Sequence, residues 1–182
     1  MARVLSLIEH KRHLAAIKGF QPWTRRFGLP FEDDTSIRRL DDTMIKYLIL
    51  GGEDSAAALY ELVMGILGLG AGSRFHYLDS EDKMGIMDIT LFLLDLSRFE
   101  AMCRLGWLQD YSFLQLPLVD LIQGFHTDFS PARHQCPVLS TTHPQYQHYA
   151  KQFEADRNAF VRKLIPEAIQ TFAGGQGEPG EP

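Results

Sequence analysis

The sequence predicts an all-α fold, a single-domain irregular bundle of five to seven helices around a buried central helix. Three observations lead there. Apolar residues recur at helical spacing along most of the chain, and strand-like alternation between turn signals is missing. Residues 80–107 read as one long helix, apolar nearly all round. Ile86, Leu91, Phe92, Leu93, Leu94, Phe99 and Leu105 leave only narrow polar gaps when projected at about 100° per residue. Such a helix is expected to be covered on most sides by others. Finally, 182 residues that are 45% hydrophobic and 23% charged form an ordinary globular composition, long enough for a sizeable core.

Each element has its own signals. Val4, Leu7, Ile8, Leu14, Ala15 and Ile17 predict a first helix over 3–18, with Gly19 as its stop. Pro22, Gly28 and Pro30 then make 20–31 a connection, anchored by Phe20, Trp23, Phe27 and Phe31. Thr35 or Ser36 caps a short turn over 38–40, and Asp41 or Asp42 caps a helix over 43–50 that ends at Gly51 and Gly52. Asp54 or Ser55 opens a helix over 55–69 that is apolar across a wide arc. Its glycine-rich exit (Gly65, Gly68, Gly70, Gly72) resembles a phosphate loop only superficially. It follows a helix rather than a strand, which predicts a plain helix end.

Asp79 or Ser80 caps the central helix, and Glu81 and Asp82 lie in its first turn, where carboxylates meet the positive end of the helix dipole. Gly106 ends it. Pro117 suits the first position of a short helix over 118–123, and 125–141 reads as irregular. The last helix runs from near Thr142 and Pro144 to about Ile165, with Pro166 kinking it or starting a final turn through Phe172. The helical domain is expected to span 1–172, followed by a disordered Gly/Pro/Glu tail over 173–182.

The net charge of −5 argues against a dedicated nucleic-acid binder. Two cysteines, Cys103 and Cys136, are too few for a disulfide framework and fit a reducing compartment. The N-terminus is too charged for a secretory signal, and the longest uncharged run, 62–73, falls far short of the roughly 20 residues of a membrane span. A soluble cytoplasmic protein is therefore expected. Charge is unevenly spread, with a basic block over 1–30 followed by an acidic one over 31–54. Such blocks usually meet within a fold or face water. Lys11, Arg12, Arg25 and Arg26, joined by Lys18 and interleaved with aromatics, are the candidates for anion binding.

Two constellations carry potential chemistry. Residues 126–148 are dense in metal-ligand types: His126, Asp128, His134, Cys136 and His143, with His148 beyond. Their spacing matches no structural zinc pattern, and a solvated polar loop accounts for the same residues. Asp88, Asp95 and Arg98 fall within about 80° on one face of the central helix, shared with Met84, Leu91 and Met102. They form either a buried charge cluster that ties the helix to its neighbours or the lining of a cleft. No nucleophile–base triad, Cys-x-x-Cys pair, HExxH or nucleotide fingerprint is present, which points away from an enzyme.

The expected role is therefore a small helical module that binds another protein or associates with itself. It rests on the lack of a coherent catalytic set and on a surplus of aromatic and aliphatic positions, including Trp23, Phe27, Phe31, Trp107, Tyr111, Phe113 and Phe125, some of which must lie near the surface. The alternative is a helical protein that binds a divalent metal or a small ligand through 126–148, a hydrolase among the options.

Overall fold

The structure is a computed structural model and describes residues 6–175. Its α-helices in chain order are α1 (Leu7–Phe27), α2 (Asp42–Leu50), α3 (Glu53–Leu67), α4 (Ser80–Arg104), α5 (Leu118–Gly124), α6 (Tyr146–Ala150) and α7 (Glu154–Gly174). Short 3-10 turns occupy Ile37–Arg39, Gly72–Tyr77, Ser112–Gln115 and Ser130–His134, and a π-turn occupies Phe125–Phe129. Among the described residues no strand forms, only the isolated bridges Ser36–Pro117 and Leu108–Leu139. The fold class is all-α. None of the described helices is long and apolar enough to cross a membrane.

Local chemistry sets most of the helix starts. Asp41 and Asp79 each accept a backbone N–H three residues on, at 2.8 Å, and so cap α2 and α4. Pro117 precedes α5, and Ser6 and Glu9 form a reciprocal capping box at the head of α1.

The sequence expectation fails at α1. The helix does not stop at Gly19 but runs through Gly19 and Pro22 to end at Gly28, whose φ of 68° is left-handed. The reason is tertiary. Gly19 is where α3 crosses, and a Cβ there would lie 2.3 Å from Ile66 Cγ1. A Cβ at Gly65 would in turn lie 2.8 Å from the Lys18 carbonyl oxygen. That carbonyl has lost its usual helical donor, because residue 22 is proline and carries no N–H. Two bare backbones thus meet, with the Gly65 Cα–H face against the carbonyl that Pro22 leaves open. Trp23 then seats its indole N–H on the Ala58 carbonyl at 2.7 Å, and Phe20, Phe27 and Phe31 pack around it.

Three later expectations are also corrected. Residues 125–134 are not irregular but wound into the π-turn and a 3-10 turn. The single last helix is two, since the chain breaks after Ala150 and restarts at Glu154. α7 continues through Pro166 to Gly174, so the first residues of the expected tail complete a helix, while 176–182 lie outside the described residues.

α4 packs against α2, α3 and α7. Ile86, Ile89, Phe92, Leu93, Leu96 and Phe99 are buried along one side, each contributing about 1.5–3 kcal/mol. Its other side is open: Met84, Met87 and Leu91 are 66%, 45% and 46% exposed. The N-terminal half of α4 is thus open on one side, while no residue of 92–104 is exposed.

Candidate functional site

The open side of α4 begins one turn past its Asp79 cap. Met84, Met87 and Leu91 stand at i, i+3 and i+7, the spacing that aligns side chains along one helix face. Met87, Leu91 and Leu94 form one wall of a hollow of about 190 Å³. Leu48 and Ile49 of α2 and Leu59 and Tyr60 of α3 supply the opposite wall. The only charged side chain on the lining is Arg98. Two polar atoms at its margin, Thr90 Oγ1 and Arg98 Nε, are covered and have no hydrogen-bond partner among the described residues. The site is therefore an apolar notch continuous with an exposed apolar stripe.

Asp88, Asp95, Arg98, Glu100 and Arg104 of α4 are structural ties. Asp95 accepts from Arg98 Nη1 at 3.0 Å and from Arg162 Nη1 of α7 at 2.7 Å. Asp88 pairs with Arg133. Neither acid pairs with Arg104 of the same helix. Arg104 instead serves Glu100, which sequence reasoning missed although it is 1% exposed. Arg104 donates to Glu100 at 2.8 Å, to Asp42 at 2.6 Å and to the carbonyls of Arg38 and Leu40. Burial alone would lower the Arg104 pKa, but the bonds to Glu100 and Asp42 outweigh it and raise the group above its ordinary value. The second Glu100 oxygen faces Arg38 Nε at 2.9 Å, off the hydrogen-bonding axis, so that contact is ionic only. The i,i+4 spacing of Glu100 and Arg104 was the available signal.

The structure does not bring His126, Asp128, His134, Cys136 and His143 to a common point. Among the described residues no three His, Cys, Asp or Glu side chains are grouped to hold a metal ion. His126 lies across Gly85 of α4, where a Cβ would be 3.2 Å from its Nε2, and it lines a hollow of about 320 Å³ with Glu81, Asp82 and Asp88. Asp128 folds back over Gly124 instead, and His134 is exposed at the end of its 3-10 turn. Cys136 is held by Asn158, whose side-chain oxygen accepts the Cys136 N–H at 3.0 Å. Burial pushes the Cys136 thiol pKa up, with Arg162 opposing. His143 packs edge-on to Trp107, and His148 against Phe160. The π-turn and 3-10 turn send His126, Asp128 and His134 around their axes, while Cys136 and His143, on the loop 135–145, are held by Asn158 and against Trp107.

The basic block divides in two. Arg12 is engaged by Asp120 at 2.6 Å, and Arg26 by Glu61 at 3.0 Å and by the Tyr47 hydroxyl. Lys11 is exposed on α1, while Lys18 and Arg25 face the turn that follows α3. Comparison with known proteins finds no family model, no curated protein and no solved structure that this chain matches.

Proposed function

We propose that this protein is a helical binding module whose open α4 face receives a basic amphipathic helix of another protein. The observation that carries the reading is the stripe Met84, Met87 and Leu91 opening into the apolar notch between α2, α3 and α4. Methionines are flexible and polarizable, and they suit a surface that repacks around the side chain it receives. A notch of about 190 Å³ has room for one large apolar anchor, the usual centre of a binding hot spot.

Charge indicates the occupant. Glu53 and Asp54 stand exposed between the notch-lining Gly52 and Ser55, and Glu81 and Asp82 stand exposed in the first turn of α4, where Lys83 is occupied by the His76 carbonyl. An acidic rim around an apolar groove complements a helix with Lys or Arg beside its apolar face. A second copy of this chain would set the same acidic rim against itself, at a net charge of −5 each. The aromatic surplus does not support the reading in the way the sequence suggested. Trp23 and Phe125 are buried, and Phe27, Phe31, Trp107, Tyr111 and Phe113 pack against the core.

The test is titration of the full chain with a fluorescent model helix carrying leucines at i, i+4 and i+7 and lysines beside them. Saturable binding is expected, weakened by about tenfold or more in Leu91→Glu, because the new carboxylate must be desolvated. An exposed position should leave the melting temperature unchanged. Absence of binding, or binding indifferent to Leu91→Glu, overturns the proposal. So does a dimer in sedimentation equilibrium that Leu91→Glu dissociates, since the face would then belong to a second copy.

A further inference from the structure

We infer that the hollow between α1 and the glycine-rich turn after α3 is a binding site for a small phosphate ester. Lys18, Gln21, Pro22 and Arg25 of α1 form one wall, and Glu61 and Gly65 of α3 the floor. Residues 68–73 close it, giving a hollow of about 540 Å³. That is within the size range of small-molecule sites, roughly 300–1,000 Å³.

This is an acidic chain, and its arginines are otherwise committed. Arg12, Arg26, Arg38, Arg39, Arg98, Arg104, Arg133 and Arg162 each hold a carboxylate, and Arg157 holds the Ala150 carbonyl. Among the described residues only Arg25 and Arg74 have neither kind of partner, and both stand at this hollow. Arg25 lines it, and Arg74 folds over its wall at Gly70, where a Cβ would lie 3.1 Å from Arg74 Cδ and 4.0 Å from Nη1. Lys18 lines it too, also without an ion pair among the described residues. The one acid present, Glu61, is bonded to Arg26 at 3.0 Å. Two free cations thus line a concavity whose single carboxylate is already neutralised, and Arg74 stands beside its Gly70 wall.

The turn itself adds to this. Gly68 and Gly70 have φ of 72° and 97°, and the N–H groups of Gly70 and Ala71 have no acceptor among the described residues. Glycine there lets an oxyanion approach the backbone closely. A phosphate monoester, with a charge of about −1.5 to −2 at neutral pH and three acceptor oxygens, matches these cations and two open amides. The Pro22 ring and Ala71 offer an apolar wall for its organic part. A nucleic-acid strand needs a track of such sites, and this hollow is single and bounded by α3.

The experiment is calorimetric titration of the full chain with phenyl phosphate at fixed ionic strength, with backbone amide shifts followed in parallel. Saturable binding is expected, with shifts confined to 65–74 and to α1 around Lys18 and Arg25. The Lys18→Gln/Arg25→Gln double variant, at two exposed positions that leave the fold intact, should weaken it by roughly tenfold to a hundredfold, the loss expected for charged hydrogen bonds. Lys151→Gln and Lys163→Gln should change nothing. Lack of saturation, an unchanged affinity in the double variant, or equal binding of chloride overturns the proposal. Tighter binding of a single-stranded oligonucleotide at the same residues also overturns it.

Discussion

Glu100 shows how one residue can bind several segments together. Its carboxylate is buried on α4, and the guanidinium that answers it also fastens Asp42 and the carbonyls of residues 38 and 40. Removing Arg104 leaves that buried charge with only the ionic contact of Arg38 and no hydrogen-bond donor. Arg104→Leu should therefore lower stability by about 3–5 kcal/mol in urea unfolding. Glu100→Leu/Arg104→Leu should recover a large part of that loss, and a double variant no better than the single would show the acid to be a bystander. The thiols give a second expectation at this scale. Burial first, then the nearby Glu100, pushes the Cys103 pKa up to about 12, and burial raises Cys136 as well. Neither should react appreciably with a thiol-specific disulfide reagent at neutral pH until the chain is unfolded, and a fast native-state phase would contradict this. His143 tests the sign of a pH effect. Its pKa is lowered by burial, with Glu167 opposing, so the fold favours the neutral ring. Its contribution is present above the unfolded value near 6.5 and is lost as pH falls through the lower folded value. Stability against acid over that window should decline less in His143→Gln, as read from urea midpoints.

At the scale of elements, the crossing of α1 and α3 is the sharpest case. Gly65→Ala places a methyl against the Lys18 carbonyl and the Gly19 backbone, and should cost about 1–3 kcal/mol through overpacking. Gly68→Ala meets nothing within 4 Å but must hold a φ of 72°, and should cost about 1–2 kcal/mol for a different reason. Thermal unfolding of the two variants separates the effects, because replacing Gly68 by Asn, which tolerates the left-handed region, should restore stability. The same crossing explains what was legible in the sequence. The caps at Asp41 and Asp79 and the start after Pro117 rest on contacts within a few residues, so the residue types announce them. Gly19 and Pro22 carry ordinary stop signals, overridden by a helix that begins more than thirty positions later. At the break after Ala150 the Arg157 guanidinium donates to the Ala150 carbonyl at 2.7 Å, and no glycine or proline marks the place in the sequence.

For the molecule as a whole, the helical class follows from periodicity alone, but the choice of partners does not. Asp88 and Asp95 stand out on their helix, yet Arg133 and Arg162 come from segments whose positions depend on the finished chain path. The ligand-rich run 126–148 shows the converse, since residue types without geometry promise a centre that the winding of the turns disperses. Of the anion candidates, Arg12 and Arg26 are spoken for, while Arg25 meets a turn that by itself reads only as a helix exit. Because α4 touches α2, α3 and α7, and α1 lies along α3, the two tryptophans sit at distant places in one contact network. Trp23→Phe and Trp107→Phe variants, each leaving one reporter, should unfold with a single shared urea midpoint. Separate midpoints would divide the chain into two cooperative units.

The bare contact between residues 19 and 65 has a consequence for how this chain can change over time. Neither position has room to grow unless its opposite number withdraws, and neither can withdraw below glycine. Any sequence that builds this architecture should therefore keep both sites minimal together, and a bulkier residue at one should be accompanied by a shifted axis of the first helix.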